Sequence, residues 1–129
     1  MIKARNIQKK YRHQYKHVHV DISTDSDNFV AFILSRETQA QINSVKVLYS
    51  VATDATEIAY RDVQVGTIAD PNAHVQYTIA VSQAAGTIVA CTLLTTGLIA
   101  ANTPVTVSTA TGADTNPGEI DIIIEYDLV

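Results

Sequence analysis

The chain has no tryptophan, a single cysteine, three prolines and five glycines in 129 residues. The lone cysteine, Cys91, excludes an internal disulfide, so the fold must hold by packing alone. Its setting in the apolar run 87–94 marks it as a small buried hydrophobe and not as an activated thiol. Without tryptophan, the favoured ring for stacking on sugars is missing. Gly66-Thr67 and Gly86-Thr87 are isolated turn glycines with no phosphate-loop pattern, and no serine stands in a Gly-x-Ser-x-Gly elbow. No apolar stretch approaches the roughly 18 residues that a membrane-spanning helix requires. The opening "MIKARNIQKK" carries charge where a signal peptide is apolar, and no Asn-x-Ser/Thr acceptor occurs. The expectation is a soluble protein made in a cytoplasm, with no membrane partner.

Acid is missing from one region only. Residues 1–20 hold six Lys/Arg and no Asp/Glu, whereas residues 21–129 hold three Lys/Arg against thirteen Asp/Glu. A net charge of −4 therefore conceals a basic leader on an acidic body. Such asymmetry suggests a tail that engages a negatively charged surface, and a merely solvated terminus is the plain alternative. In the first reading Lys3, Arg5, Lys9, Lys10, Arg12 and Lys16 pair with a partner's carboxylates, while Ile2, Ile7, Tyr11 and Tyr15 supply apolar anchors. Tyrosines interleaved with base also suit single-stranded nucleic acid. The acidic body would repel phosphate, however, so a carboxylate-rich protein surface is the better match.

What the chain has in abundance is Val, Ile and Thr: 14, 14 and 15 residues, a third of the sequence and strongly β-favouring. Alternation with period two recurs along it. Val18, Val20 and Ile22 alternate with His17, His19 and Asp21; Val45, Val47, Tyr49 and Val51 with Lys46 and Ser50; Val63 and Val65 with Asp62 and Gln64. The pattern returns at Val75, Tyr77, Ile79 and Val81, and again at Ile120, Ile122, Ile124 and Tyr126, opposite Asp121, Glu125 and Asp127. Two runs, 28–34 and 86–94, are apolar on both faces, and "PVTVST" at 104–109 begins with a proline, tolerated at the first residue of a strand. Turn-forming segments separate the runs and no amphipathic helix intervenes.

These features predict an all-β chain: a two-sheet antiparallel β-sandwich, a jelly roll of about eight strands, with an extended basic arm at 1–16 and the sandwich at 17–129. An immunoglobulin-like sandwich is the nearest rival and lacks its cysteine pair and tryptophan. If Phe29, Ala31 and Ile33 face the core, then Val30, Phe32 and Leu34 face outward and need cover, which predicts a homo-oligomer, a trimer by preference.

Chemistry-bearing clusters are sparse. His17-x-His19-x-Asp21 places three potential ligands on one strand face, but the Glu that follows such a His pair in cupins is absent, and Ser23, Thr24 and Asp25 stand there instead. Glu119, Asp121, Glu125 and Asp127 alternate with isoleucine, as the wet face of a strand does. No catalytic residue, metal site or cofactor is expected.

The segment "INSVKVLYSVATDATEIAYRDVQVGTIADPNAHVQYTIAV", followed by "AAGTIVACTLLTTGLIAANTPVTVSTATGADTNPGEIDIIIEYDL", resembles the small jelly-roll decoration, or cement, proteins of tailed-phage capsids over residues 42–127. The resemblance lies in the order of strands, "VGT" after a strand, and an Ala/Thr-rich loop leading into "TPVTV" and "GEIDIIIEY". It implies a non-enzymatic virion protein on the outer capsid surface, often trimeric, with the major capsid protein or another virion protein as partner. The basic arm is not part of that pattern. A glycan-binding module of a phage tail or fibre and a cupin-like metalloenzyme remain as alternatives.

Overall fold

A computed structural model of the chain describes residues 13–21, 26–33, 39–53, 62–80, 82–95, 98–109 and 119–129, with the backbone alone for 21, 26–33 and 109. Among the described residues there are eight strands: β1 (His13–Asp21), β2 (Ser26–Ile33), β3 (Ala40–Val51), β4 (Asp62–Gly66), β5 (Val75–Thr78), β6 (Ile88–Ala90), β7 (Pro104–Thr109) and β8 (Glu119–Leu128). No helix occurs among the described residues. The strands form two four-stranded sheets, in the orders β1-β8-β3-β6 and β2-β7-β4-β5, and every pairing is antiparallel.

The order has a simple origin. β1 pairs with β8, β2 with β7, β3 with β6 and β4 with β5, so the partners are nested around the middle of the chain. A long antiparallel ribbon rolled up on itself gives this nesting, which is the jelly roll.

Alternation sends one side chain in two into a shared core. Ile120, Ile122 and Ile124 of β8 stand opposite Tyr49, Val47 and Val45 of β3 on one side and Val20, Val18 and Lys16 of β1 on the other. The three isoleucines, Val45, Val47 and Tyr49 are almost wholly excluded from solvent. Val63, Val65, Val75, Val105 and Val107 close the core from the second sheet. At about 1.5–3 kcal/mol for each fully buried aliphatic side chain, this layer is the main source of stability. Tyr49 is tied down at its polar tip: its hydroxyl lies 2.6 Å from that of Tyr77 and accepts the Ala80 amide at 3.1 Å. Burial, and then that bond, raise the Tyr77 hydroxyl far above its ordinary pKa, so Tyr77 stays neutral.

Details differ from the sequence expectations. β1 begins at His13, so Tyr15 and Lys16, expected in the arm, lie in the strand. Charge does not prevent this, because β8 offers Asp127 and Glu125 opposite His13 and Tyr15. The expected two-sided run 86–94 contributes a strand of three residues, exposed at Ile88 and Ala90 and half-buried at Val89, as befits a sheet edge. Cys91 is half-buried against the core, and burial raises its thiol pKa to about 11. In β2 the register shifts between Val30 and Phe32, which face Thr106 and Val105, adjacent residues of β7. The side chains of Val30 and Phe32 lie outside what the structure describes. Leu34 lies outside the described residues.

Gly66 ends β4 where the following loop folds back. A Cβ at this position would sit inside contact distance of the Asp70 carbonyl oxygen and of the Pro71 carbonyl group. Backbone atoms cannot rotate aside as a side chain does. Gly66→Ala is therefore expected to cost about 1–3 kcal/mol, read as a lower denaturation midpoint at unchanged m-value.

Candidate interaction surfaces

Strand direction sorts the loops into two groups. β1 runs from His13 to Asp21, and β3, β5 and β7 run the same way, so the segments β2–β3, β4–β5 and β6–β7 and the end of β8 all gather beside His13. Backbone bonds fasten this end together. The Val129 amide donates to the Gln39 carbonyl (2.9 Å), Ala40 and Ile99 exchange two bonds (3.1 and 2.7 Å), and the Leu94 amide donates to the His74 carbonyl (2.8 Å). His74 is the buried pin beneath them. The Thr95 hydroxyl donates to the Ala73 carbonyl (3.1 Å) and thus accepts from His74 Nδ1 (3.0 Å). Burial lowers the pKa of His74, and its Nε2 has no hydrogen-bond partner among the described residues. A neutral imidazole is the form that fits.

Ile68, Leu94, Leu98 and Val129 lie on these fastened segments, each more than half exposed. Tyr15, still more exposed, lies two residues into β1 from the same end. Of the seven large exposed hydrophobics among the described residues, only Val51 and Ile88 lie elsewhere. Single exposed apolar residues are ordinary, and here five of the seven lie toward one end of the sandwich.

The second surface is the outer face of the β1-β8-β3-β6 sheet. Here the three histidines of β1 meet the four carboxylates of β8. His13 reaches Asp127 through Nδ1 (2.7 Å) and Glu125 through Nε2 (2.8 Å). His17 reaches Asp121 (3.1 Å), and His19 reaches Asp121 through Nδ1 (2.7 Å) and Glu119 through Nε2 (3.7 Å). Only an imidazolium can donate from both ring nitrogens, so the arrangement favours protonation. The hydrogen bond to Asp127 raises His13, and that to Asp121 raises His19. Burial pushes the Asp121 carboxyl up, but its bonds from His19 and His17 outweigh this and hold it below the usual range. His17 and His19 are thus engaged by carboxylates. No group of three or more His, Cys, Asp or Glu is placed to hold a metal ion among the described residues.

These shifts set the sign of the pH effect. Raised histidines contribute stability that is complete below pH 6.5 and lost as pH rises through their folded-state values. Asp121 contributes stability that is lost only as pH falls below 3.8 through its lowered value. Buried His74 works the opposite way, costing stability in acid. The thermal midpoint of the double variant His13→Asn/His19→Asn is expected to lie further below that of the parent at pH 5.5 than at pH 8.5. Equal deficits at both values would show that the pairs carry no proton-linked stability.

Of the expected arm residues, Tyr15 and Lys16 are placed on β1, exposed and half-buried respectively. Lys3, Arg5, Lys9, Lys10, Tyr11 and Arg12 lie outside the described residues. Connectivity alone makes this basic segment join the body at His13, beside the apolar loops.

No protein family and no curated protein matches the sequence. One solved structure does match in fold. The chain folds like part of a phage capsid. The similar chain belongs to a structure titled "Cyanophage Pam1 capsid asymmetric unit", with a TM-score of 0.60 and 17% sequence identity. The superposition covers 92% of this chain and 84% of that one. At such identity the likeness concerns the fold, and it spans nearly the whole of both chains.

Proposed function

We propose that this protein is a structural component of a phage virion, a decoration protein that docks on the capsid shell and strengthens it. The observation that carries the reading is the near-complete, two-way coverage of the jelly roll by a chain of a capsid asymmetric unit. Most of a small chain corresponds to most of another, in place of one domain of a large protein. The division into a basic segment and an acidic body fits the role: residues 1–12 supply Lys3, Arg5, Lys9, Lys10 and Arg12 with Tyr11, a set suited to a carboxylate-bearing surface. A non-enzymatic role agrees with where the titratable side chains stand. The described histidines are engaged with carboxylates or buried, and burial raises the Cys91 thiol.

The protein assembles in this reading as a homotrimer. What supports self-association is the outer face of the first sheet, where exposed Ile88 stands opposite Leu48 and Ile123 stands opposite Lys46 one row away. A sister copy is the simplest cover for such a strip. The experiment that tests the role is co-sedimentation of the purified protein with purified phage capsids that lack it. Saturable binding is expected, and its absence would reject the role.

A further inference from the structure

We infer that His74 is an acid-released latch: its neutral ring fastens the loop before β5 to the segment after β6, and taking up a proton opens that joint while the rest of the sandwich stays closed. The inference is independent of the virion role, because it concerns the isolated chain. Both the backbone and the ring of His74 span the joint. Its amide donates to the Val65 carbonyl near the end of β4 (2.9 Å), and its carbonyl accepts the Leu94 amide (2.8 Å). One residue on, the Thr95 hydroxyl donates to the Ala73 carbonyl (3.1 Å) and accepts from the His74 ring at Nδ1 (3.0 Å). That chain of bonds fixes the tautomer: the proton is on Nδ1, and Nε2 carries the lone pair. Only 8% of His74 is exposed, and Nε2 has no partner among the described residues. An orphaned neutral acceptor is a modest cost, whereas a second proton makes a buried cation whose new N–H has nothing to donate to. Opening the joint brings that cation to water.

The surroundings give the proton little compensation. Asp70, the one charge that acts on the ring among the described residues, favours protonation, but it stands on an exposed part of the loop where water screens it, and burial outweighs it. Of the other ionising side chains on adjoining elements, Asp62 lies at the opposite end of β4, bonded to Gln76 and Thr78. Tyr77 and Cys91 stay neutral below pH 8, the first raised far above its ordinary value and the second to about 11. A depressed histidine supplies protection that is complete above its unfolded value of 6.5 and lost as pH falls toward its folded one. His13 and His19, on the first sheet, shift the other way, so acid tightens β1 against β8 as it loosens the joint. The opposing signs confine the opening. Ile68 and Leu94, exposed on the two sides of the joint, are held in fixed relative places only while His74 is neutral.

Amide hydrogen exchange, read by NMR on the full chain at pH 8 and pH 5 and corrected for the intrinsic rate, tests the latch. The Leu94 amide is the reporter, and the amides of β8 are the reference. Protection at Leu94 is expected to fall about fivefold or more from pH 8 to pH 5 relative to β8. In His74→Asn, whose side-chain amide keeps a donor for Thr95 but does not titrate, the two values are expected to agree within about twofold. Should that variant not fold, the ring itself decides: NMR titration of His74 in the parent is expected to give a midpoint below 6.5. Leu94 protection that is the same at both pH values, an equal fall in His74→Asn, or a ring that titrates at 6.5 or above would each overturn the latch. A parallel fall at Leu94 and throughout β8 would likewise reject it, as a loss of global stability in place of a local opening.

Discussion

Ile122→Ala is expected to lower the stability of the protein by about 3–4 kcal/mol, while Ile123→Ala, one residue along, costs less than about 1 kcal/mol. Ile122 is fully buried on β8, with Val18 of β1 on one side and Val47 of β3 on the other. Its truncation removes three carbons from the middle of the first sheet. Flanking strands held by ladder hydrogen bonds on both edges cannot collapse into the gap. Ile123 points to the outer face between His17 and Lys46 and is half exposed, so alanine there returns little surface to water. For a domain of this size the Ile122 variant should melt roughly 10–15 °C lower. Comparable losses for the two variants would mean that the outer face is covered in the isolated protein.

Deleting residues 1–12 is expected to leave the thermal midpoint within a few degrees of the parent and to weaken capsid binding by about 2–4 kcal/mol, roughly 30- to 1,000-fold. Five cations are lost, each worth about 0.2–1 kcal/mol when paired at a surface, together with Ile2, Ile7 and Tyr11. The cut belongs before His13. Deletion through Lys16 would remove four residues of β1 and the His13 contacts to Asp127 and Glu125, confusing a binding effect with a folding one. Salt supplies the second axis of the test. Parent affinity should fall between 50 and 500 mM NaCl as the Debye length shrinks, and the deleted form should show a flatter response. Equal slopes would place the electrostatics on the body instead.

Local period made most of the fold legible. Val45, Val47 and Tyr49 on β3, and Ile120, Ile122 and Ile124 on β8, are buried as alternation requires. Within the run Ile122-Ile123-Ile124, Asp121 and Glu125 on either side are enough to set the phase. Other features needed the tertiary structure. His13 and Lys16 read as part of a charged leader because their partners on β8 are more than a hundred residues away. His17 and His19 on one side, and the β8 carboxylates on the other, are legible as polar positions of alternating strands, yet nothing local states that the first strand lies beside the last. The shift in β2 is likewise a property of its pairing with β7. The clustering of Ile68, Leu94, Leu98 and Val129 arises from strand directions, which bring segments distant in sequence to one end.

A capsid role, the central claim, is tested most directly by counting this chain in purified virions through quantitative mass spectrometry against the coat protein. The expected result is a fixed ratio, with a copy number comparable to that of the coat protein and the chain located on the outside of the shell by cryo-electron microscopy. A chain absent from virions, or present only in the few copies of a tail component, would contradict it.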